Sequence, residues 1–149
     1  MVIDRKIKSK LILIASDHAG FKLKEEIKEL LFKKRKKVLD LGTKHKNSVD
    51  YPDYAHLLSK KMKKDNNQFG ILICGSGIGM VMTANKHKNI RAALCYNIKT
   101  AKLSRQHNNA NVMTLGARLT KKNTALKCVK TFLETNFEGG RHIKRVKKI

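Results

Sequence analysis

The chain has 149 residues, 41% of them hydrophobic, and sets 34 Lys and Arg against 11 Asp and Glu for a formal net charge of +23; that length holds one domain with a core needing no disulfide or metal, and the apolar content excludes a chain disordered by charge alone. The longest apolar run, residues 11–15, is too short for a membrane span or a secretory h-region, and an odd count of cysteines, Cys74, Cys95 and Cys128, matches no zinc, redox or secreted disulfide pattern, so a cytoplasmic protein with reduced thiols is expected. The basic surplus is 27 lysines against only 7 arginines, whereas recognition of phosphates and bases leans on arginine; the charge reads as solvated background, and no specific nucleic-acid or membrane partner is expected.

In chain order, β-type apolar runs occur at residues 11–15, 38–41, 70–74, 91–95 and 112–115. Between them, apolar residues recur at helical spacing, as in Leu23, Ile27, Leu30 and Leu31, or Ala125, Cys128, Val129 and Phe132. Lysine clusters at 33–37, 60–64 and 144–148 fall at or near expected helix ends, where cations favour the helix dipole and stay in water. Pro52, the single proline, follows Asp50 and Tyr51 and marks a helix start capped by an acidic residue. Near-continuous apolar strands alternating with helices predict a parallel sheet covered on both faces. The expectation is one doubly wound, Rossmann-like α/β/α domain over residues 1–149 with five parallel strands, a basic N-terminal extension at residues 1–10 and a phosphate-binding C-terminal segment at 137–149.

In such sheets ligands bind beyond the carboxyl ends of the strands. The first strand runs into Asp17 and His18, a carboxylate and an imidazole at a strand-to-helix turn where Asp17 also suits a helix cap. The third ends in Cys74-Gly75-Ser76-Gly77-Ile78-Gly79. Its three alternate glycines let backbone N–H groups turn inward on an anion, but Met80 and the lack of a following Lys-Ser/Thr exclude the dinucleotide fingerprint and the Walker loop. A thiol facing converging N–H groups is activated as a base or nucleophile; Cys95 and Cys128 read as small buried hydrophobes. Further on come Ser104-Arg105-Gln106-His107-Asn108, dense in hydrogen-bonding groups, and Glu138-Gly139-Gly140-Arg141-His142. On a short terminal helix Arg141 and Arg145 would share one face and could clamp a phosphate.

Together with Asp50-Tyr51-Pro52, Ala84-Asn85-Lys86 and Ile90-Arg91-Ala92, these motifs, in this order from about Leu11 to Val146, closely resemble the type B ribose-5-phosphate isomerases of the wider ribose/galactose isomerase family. The resemblance implies a homodimer, or a dimer of dimers, with active sites at the subunit interface. It implies interconversion of ribose 5-phosphate and ribulose 5-phosphate without metal or organic cofactor. By position, Cys74 would move a proton between C2 and C1, His107 would open the furanose ring with Asp17 assisting, and Ser76 would help position proton or substrate. Amides of Gly75, Ser76, Gly77, Ile78 and Gly79 would hold the enediolate, Tyr51 and Asn108 would contact the sugar, and His18, Arg141 and Arg145 would bind the phosphate. Arg118 matches a residue that in relatives reaches the phosphate from the neighbouring subunit. Relatives lacking the strand-end cysteine use a Glu where this chain has Met80, which indicates the cysteine-based branch. The alternative within the chemistry is a hexose 6-phosphate such as allose or galactose 6-phosphate; a remote one is a basic polyanion binder on an inactive scaffold.

Overall fold

The computed structural model describes residues 10–64 and 67–149, so residues 1–9, most of the expected N-terminal extension, lie outside the described residues. Five strands, β1 (Leu11–Ser16), β2 (Lys37–Asp40), β3 (Gln68–Cys74), β4 (Ala92–Leu94) and β5 (Val112–Gly116), form one sheet in the order β2-β1-β3-β5-β4. Every pairing is parallel. The helices are α1 (Phe21–Lys33), α2 (Tyr51–Lys61), α3 (Ile78–Ala84), α4 (Ile98–Asn108), α5 (Lys122–Glu134) and α6 (Arg141–Val146). The expected doubly wound three-layer domain is therefore present, and no helix among the described residues is long and apolar enough to cross a membrane.

Strand alternation builds the layers. Ile12 and Ile14 pack with Ile27 and Leu31 of α1 and Cys128, Val129 and Phe132 of α5, while Leu13 and Ala15 pack with Ala55 and Leu58 of α2 and Met80 and Ala84 of α3. Both faces of the central strands are thus buried, which is why their sequences read as continuous apolar runs. Burial raises the thiol of Cys128 and pushes that of Cys95 up to about 12, which suits small core hydrophobes.

Two local expectations change. Asp50 occupies the N-cap of α2, but its side chain makes no capping hydrogen bond; Pro52 and Asp53 in the first turn start this helix. The lysines were expected in water, yet Lys24 is fully buried, its Nζ donating to Asp40 Oδ2 at 2.7 Å and to Glu25 Oε1 at 3.0 Å. A partnered ammonium can occupy a place that helical periodicity gives to an apolar side chain.

β1 leads to α1 on one face, and its neighbour β3 leads to α3 on the other. The chain reverses its winding between these adjacent strands, and a crevice opens there at their carboxyl ends.

Candidate active site

At this crevice the ends of β1 and β3 are locked in register. The N–H of Asp17 donates to the carbonyl of Ile73 at 3.2 Å, which places Asp17 beside the strand end that carries Cys74. Asp17 is almost fully buried, and its Oδ1 accepts the Gly20 N–H at 3.0 Å. The N-cap of α1 is Gly20, with no side-chain cap, so Asp17 does not cap the helix as expected; its bond tightens the turn before α1 and leaves the side chain on the cleft. His18 Nδ1 accepts the N–H of Val49 at 3.1 Å, which ties the β1 turn to the segment before α2 and fixes the tautomer with the proton on Nε2.

Cys74 Sγ accepts the N–H of Gly77 at 3.1 Å. Gly77 sits at φ +77°, where an added Cβ would meet Leu94 Cδ1 at 2.6 Å, so only glycine aims this amide at the sulfur without strain. Three bonds to the region of β5 hold the loop: Thr114 Oγ1 donates to the Gly77 carbonyl at 2.9 Å, the Ala117 N–H to the Cys74 carbonyl at 2.8 Å, and the Arg118 N–H to the Gly75 carbonyl at 3.0 Å. Ser76 Oγ accepts the Ile78 N–H at 3.2 Å. Two of the five loop amides expected to hold substrate oxygens, those of Gly77 and Ile78, are thus already donated inside the loop. Met80 is fully buried in the core layer that also holds Cys74.

A cleft of about 540 Å³ is lined by Asp17, His18, Tyr51, Cys74, Gly75, Ser76, Ile78, Gly79 and Arg118, together with Ala19, Met82 and Leu119, which were not foreseen. Arg118 therefore stands on the cleft of its own chain, where the resemblance implied a contribution from the neighbouring subunit. Its Nη1 lies 3.2 Å from where a Gly75 Cβ would be. Thr114 was also missed; its signal is a fully buried hydroxyl in an otherwise apolar strand.

His107, Asn108, Arg141 and Arg145 do not line this cleft. His107 and Asn108 end α4; Arg141 and Arg145 lie on α6, a helix that places them four residues apart on one face. His107 stacks on His142 with ring centroids 4.3 Å apart and planes 12° from parallel. Burial, followed by the charges of His107 and Arg141, holds His142 below the usual histidine range.

A doubly wound α/β domain with a thiol, a carboxylate and glycine-loop amides at its switch point has the parts of an enzyme site for small polar substrates, the thiol being suited to act as base or nucleophile. The chain belongs to the ribose/galactose isomerase family, whose model matches residues 12–149. It is 49% identical over 140 residues to the probable ribose-5-phosphate isomerase B of Mycoplasma genitalium, covering 93% of this chain and 92% of that one. Among solved structures, it resembles ribose 5-phosphate isomerase RpiB of Thermotoga maritima with a TM-score of 0.90 at 48% identity, over 93% of this chain and 96% of that one. Ribose-5-phosphate isomerase B of Mycoplasma genitalium with bound ribulose-5-phosphate gives a TM-score of 0.91 at 48% identity, over 94% and 93%.

Proposed function

We propose that this protein is an aldose–ketose isomerase that interconverts D-ribose 5-phosphate and D-ribulose 5-phosphate, a reaction of the pentose phosphate pathway. The observation that carries this reading is the Cys74 sulfur, held by the Gly77 amide beside Asp17 at the topological switch point, in a chain that matches isomerases over nearly its full length.

In this reading His107 and Asp17 open the furanose, one group taking the anomeric hydroxyl proton while the other delivers a proton to the ring oxygen. The Cys74 thiolate then removes the proton from C2. The electron pair left behind forms the enediolate, and the sulfur returns the proton to C1 as the hydroxyl proton moves from O2 to O1. The remaining loop amides, those of Gly75, Ser76 and Gly79, stabilise the oxygen charge, and Ser76 and Tyr51 orient the sugar. No metal or organic cofactor takes part.

The site needs a second copy of the chain. His107, Asn108, Arg141 and Arg145 stand away from the cleft of their own chain, and the cleft rim exposes Ile78, Met82 and Leu119, which are 49%, 66% and 72% accessible. Exposed apolar residues of this kind grouped around a polar site mark an interface. In a homodimer each Cys74 cleft, with its own His18 and Arg118, receives His107, Asn108, Arg141 and Arg145 from the other copy. Isomerisation of a sugar phosphate in this way suits a cytoplasmic protein, where the thiols stay reduced.

The test is a coupled assay comparing kcat/KM for ribose 5-phosphate with that for allose and galactose 6-phosphates, with Cys74→Ala alongside. The pentose phosphate should be preferred, and the variant should lose about 10²–10⁴-fold in kcat, as removal of a general base does, with an unchanged circular dichroism spectrum. A hexose preference overturns the substrate; retention of most of kcat overturns the base.

A further inference from the structure

Outside the cleft, three potential ligands converge where α4 meets α6. Glu138 Oε2 lies 3.8 Å from His107 Nε2 and 3.6 Å from His142 Nε2, and one ligand atom from each side chain falls within 4.8 Å of the others. The backbone holds the group together. The Glu138 N–H donates to the Gln106 carbonyl at 3.1 Å, next to His107 in sequence, and the His142 N–H to the Gly139 carbonyl at 3.0 Å. Among the described residues this is the one cluster of three or more His, Cys, Asp or Glu side chains arranged to share an ion.

We propose that His107, Glu138 and His142 form a binding site for a divalent transition-metal ion, best suited to Zn²⁺, whose occupancy reversibly inhibits the enzyme by withdrawing His107 from the reaction. The inhibition rests on the ring-opening role assigned to His107 above; the metal site does not.

Two imidazoles and one carboxylate are a recurrent three-ligand set for Zn²⁺, with water in the fourth position. Bonds of about 2.0–2.2 Å in a tetrahedron put ligand atoms roughly 3.3–3.5 Å apart, so both distances to Glu138 must shorten by only a few tenths of an ångström. The imidazoles are a different matter. Because the rings are nearly parallel, their lone pairs cannot meet on one ion until one ring turns. His142, 8% accessible, is held by its surroundings, whereas His107 is 37% accessible and free to turn about its broad χ2. The same turn takes His107 away from a substrate.

Donor type sets the selectivity. The charges of Arg141 and Arg145 act on His142 and oppose every cation alike, while the cluster offers two imidazoles and the single carboxylate of Glu138. Hard cations that depend on oxygen ligands, Mg²⁺ and Ca²⁺, are disfavoured; ions that bond well to imidazole nitrogen are not.

The experiment uses chelator-treated full-length protein titrated with Zn²⁺ by calorimetry, with Co²⁺ as an optical probe and ribose 5-phosphate turnover measured in parallel. One Zn²⁺ should bind per chain, Mg²⁺ should not compete, and the Co²⁺ spectrum should lack a thiolate charge-transfer band. Glu138→Gln, which preserves volume, and His142→Ala should each weaken binding more than about tenfold, and each should remove the Zn²⁺ response relative to that variant's own metal-free rate. Absence of binding overturns the site, as does a thiolate band, which would place the ion on a cysteine, or affinity indifferent to both substitutions, which would place it elsewhere. Binding that needs both side chains but leaves turnover unchanged overturns the inhibition and the ring-opening role of His107, while isomerisation by Cys74 stands.

Discussion

Gly79 is where one missing side chain shapes the cleft. A Cβ there would come within 2.4 Å of the Tyr51 ring, so the aromatic ring rests against bare backbone of α3. Tyr51 is 40% accessible and can swing outward, and alanine is the better helix former by about 1 kcal/mol. Gly79→Ala should therefore leave stability within about 1 kcal/mol of the parent while displacing the ring, and steady-state kinetics should show KM for ribose 5-phosphate raised several-fold. An unchanged KM would mean that Tyr51 does not contact the sugar. For His107, replacement by Asn should cost more with the cyclic sugar phosphate than with an open-chain substrate; equal losses would remove it from ring opening. Most of these residues were legible as types at strand ends: Asp17, His18 and the Cys74 loop announce themselves by position. The bonds that aim them were not. The His18 contact with Val49 spans 31 residues and that of Thr114 with Gly77 spans 37, and no local pattern encodes such pairings.

At the scale of elements, α1 is docked by charge as well as by its apolar stripe. Lys24 and Lys28 both reach Asp40 Oδ2 at 2.7 Å from the end of β2, and Asp40 Oδ1 accepts the Gly42 N–H at 2.9 Å. The Gly42 carbonyl accepts the N–H of Ser16, the residue before Asp17, at 2.7 Å. The pairing thus fixes the exit of β2 against the strand end that carries the site. Burial alone would raise the Asp40 carboxyl, but the two ammoniums and the Gly42 N–H together hold it below the usual aspartate range. Asp40→Asn leaves a fully buried ammonium with Glu25 as its remaining partner. It should cost about 2–3 kcal/mol in urea unfolding, less than the roughly 3–5 kcal/mol lost when a fully buried pair is broken outright. Because the folded carboxyl has the lower value, its stabilisation is fully present above about pH 4 and is lost as pH falls through the folded value; the variant should show a shallower acid-side loss than the parent. Strand and helix order was legible from periodicity, since both faces of the sheet are covered. Lys24 was not, because spacing alone cannot tell a partnered lysine in the core from a solvated one.

Taken whole, the molecule carries a charge of +23, yet the cleft takes one arginine from its own chain, Arg118. The other guanidiniums assigned to the phosphate, Arg141 and Arg145, sit on α6 with His107 nearby at the end of α4. In the proposed function one chain presents two half-sites: Cys74 with its glycine loop as the base, and the His107, Arg141 and Arg145 surface for ring opening and the phosphate. That division was not legible: the family resemblance implied sites at a subunit interface but sent Arg118 across it, whereas Arg118 lines the cleft of its own chain, because motif order along a chain does not say which copy completes which site. Shared sites can be tested by mixing defects. Co-expression of Cys74→Ala and His107→Ala chains under separate tags gives statistical dimers, half of them mixed. If each site takes Cys74 from one copy and His107 from the other, every mixed dimer holds one site with both residues intact and one with neither. The mixture should recover about a quarter of the parent's ribose 5-phosphate turnover, far above either variant alone. Turnover no greater than the sum of the separate variants would contradict a site assembled from two chains.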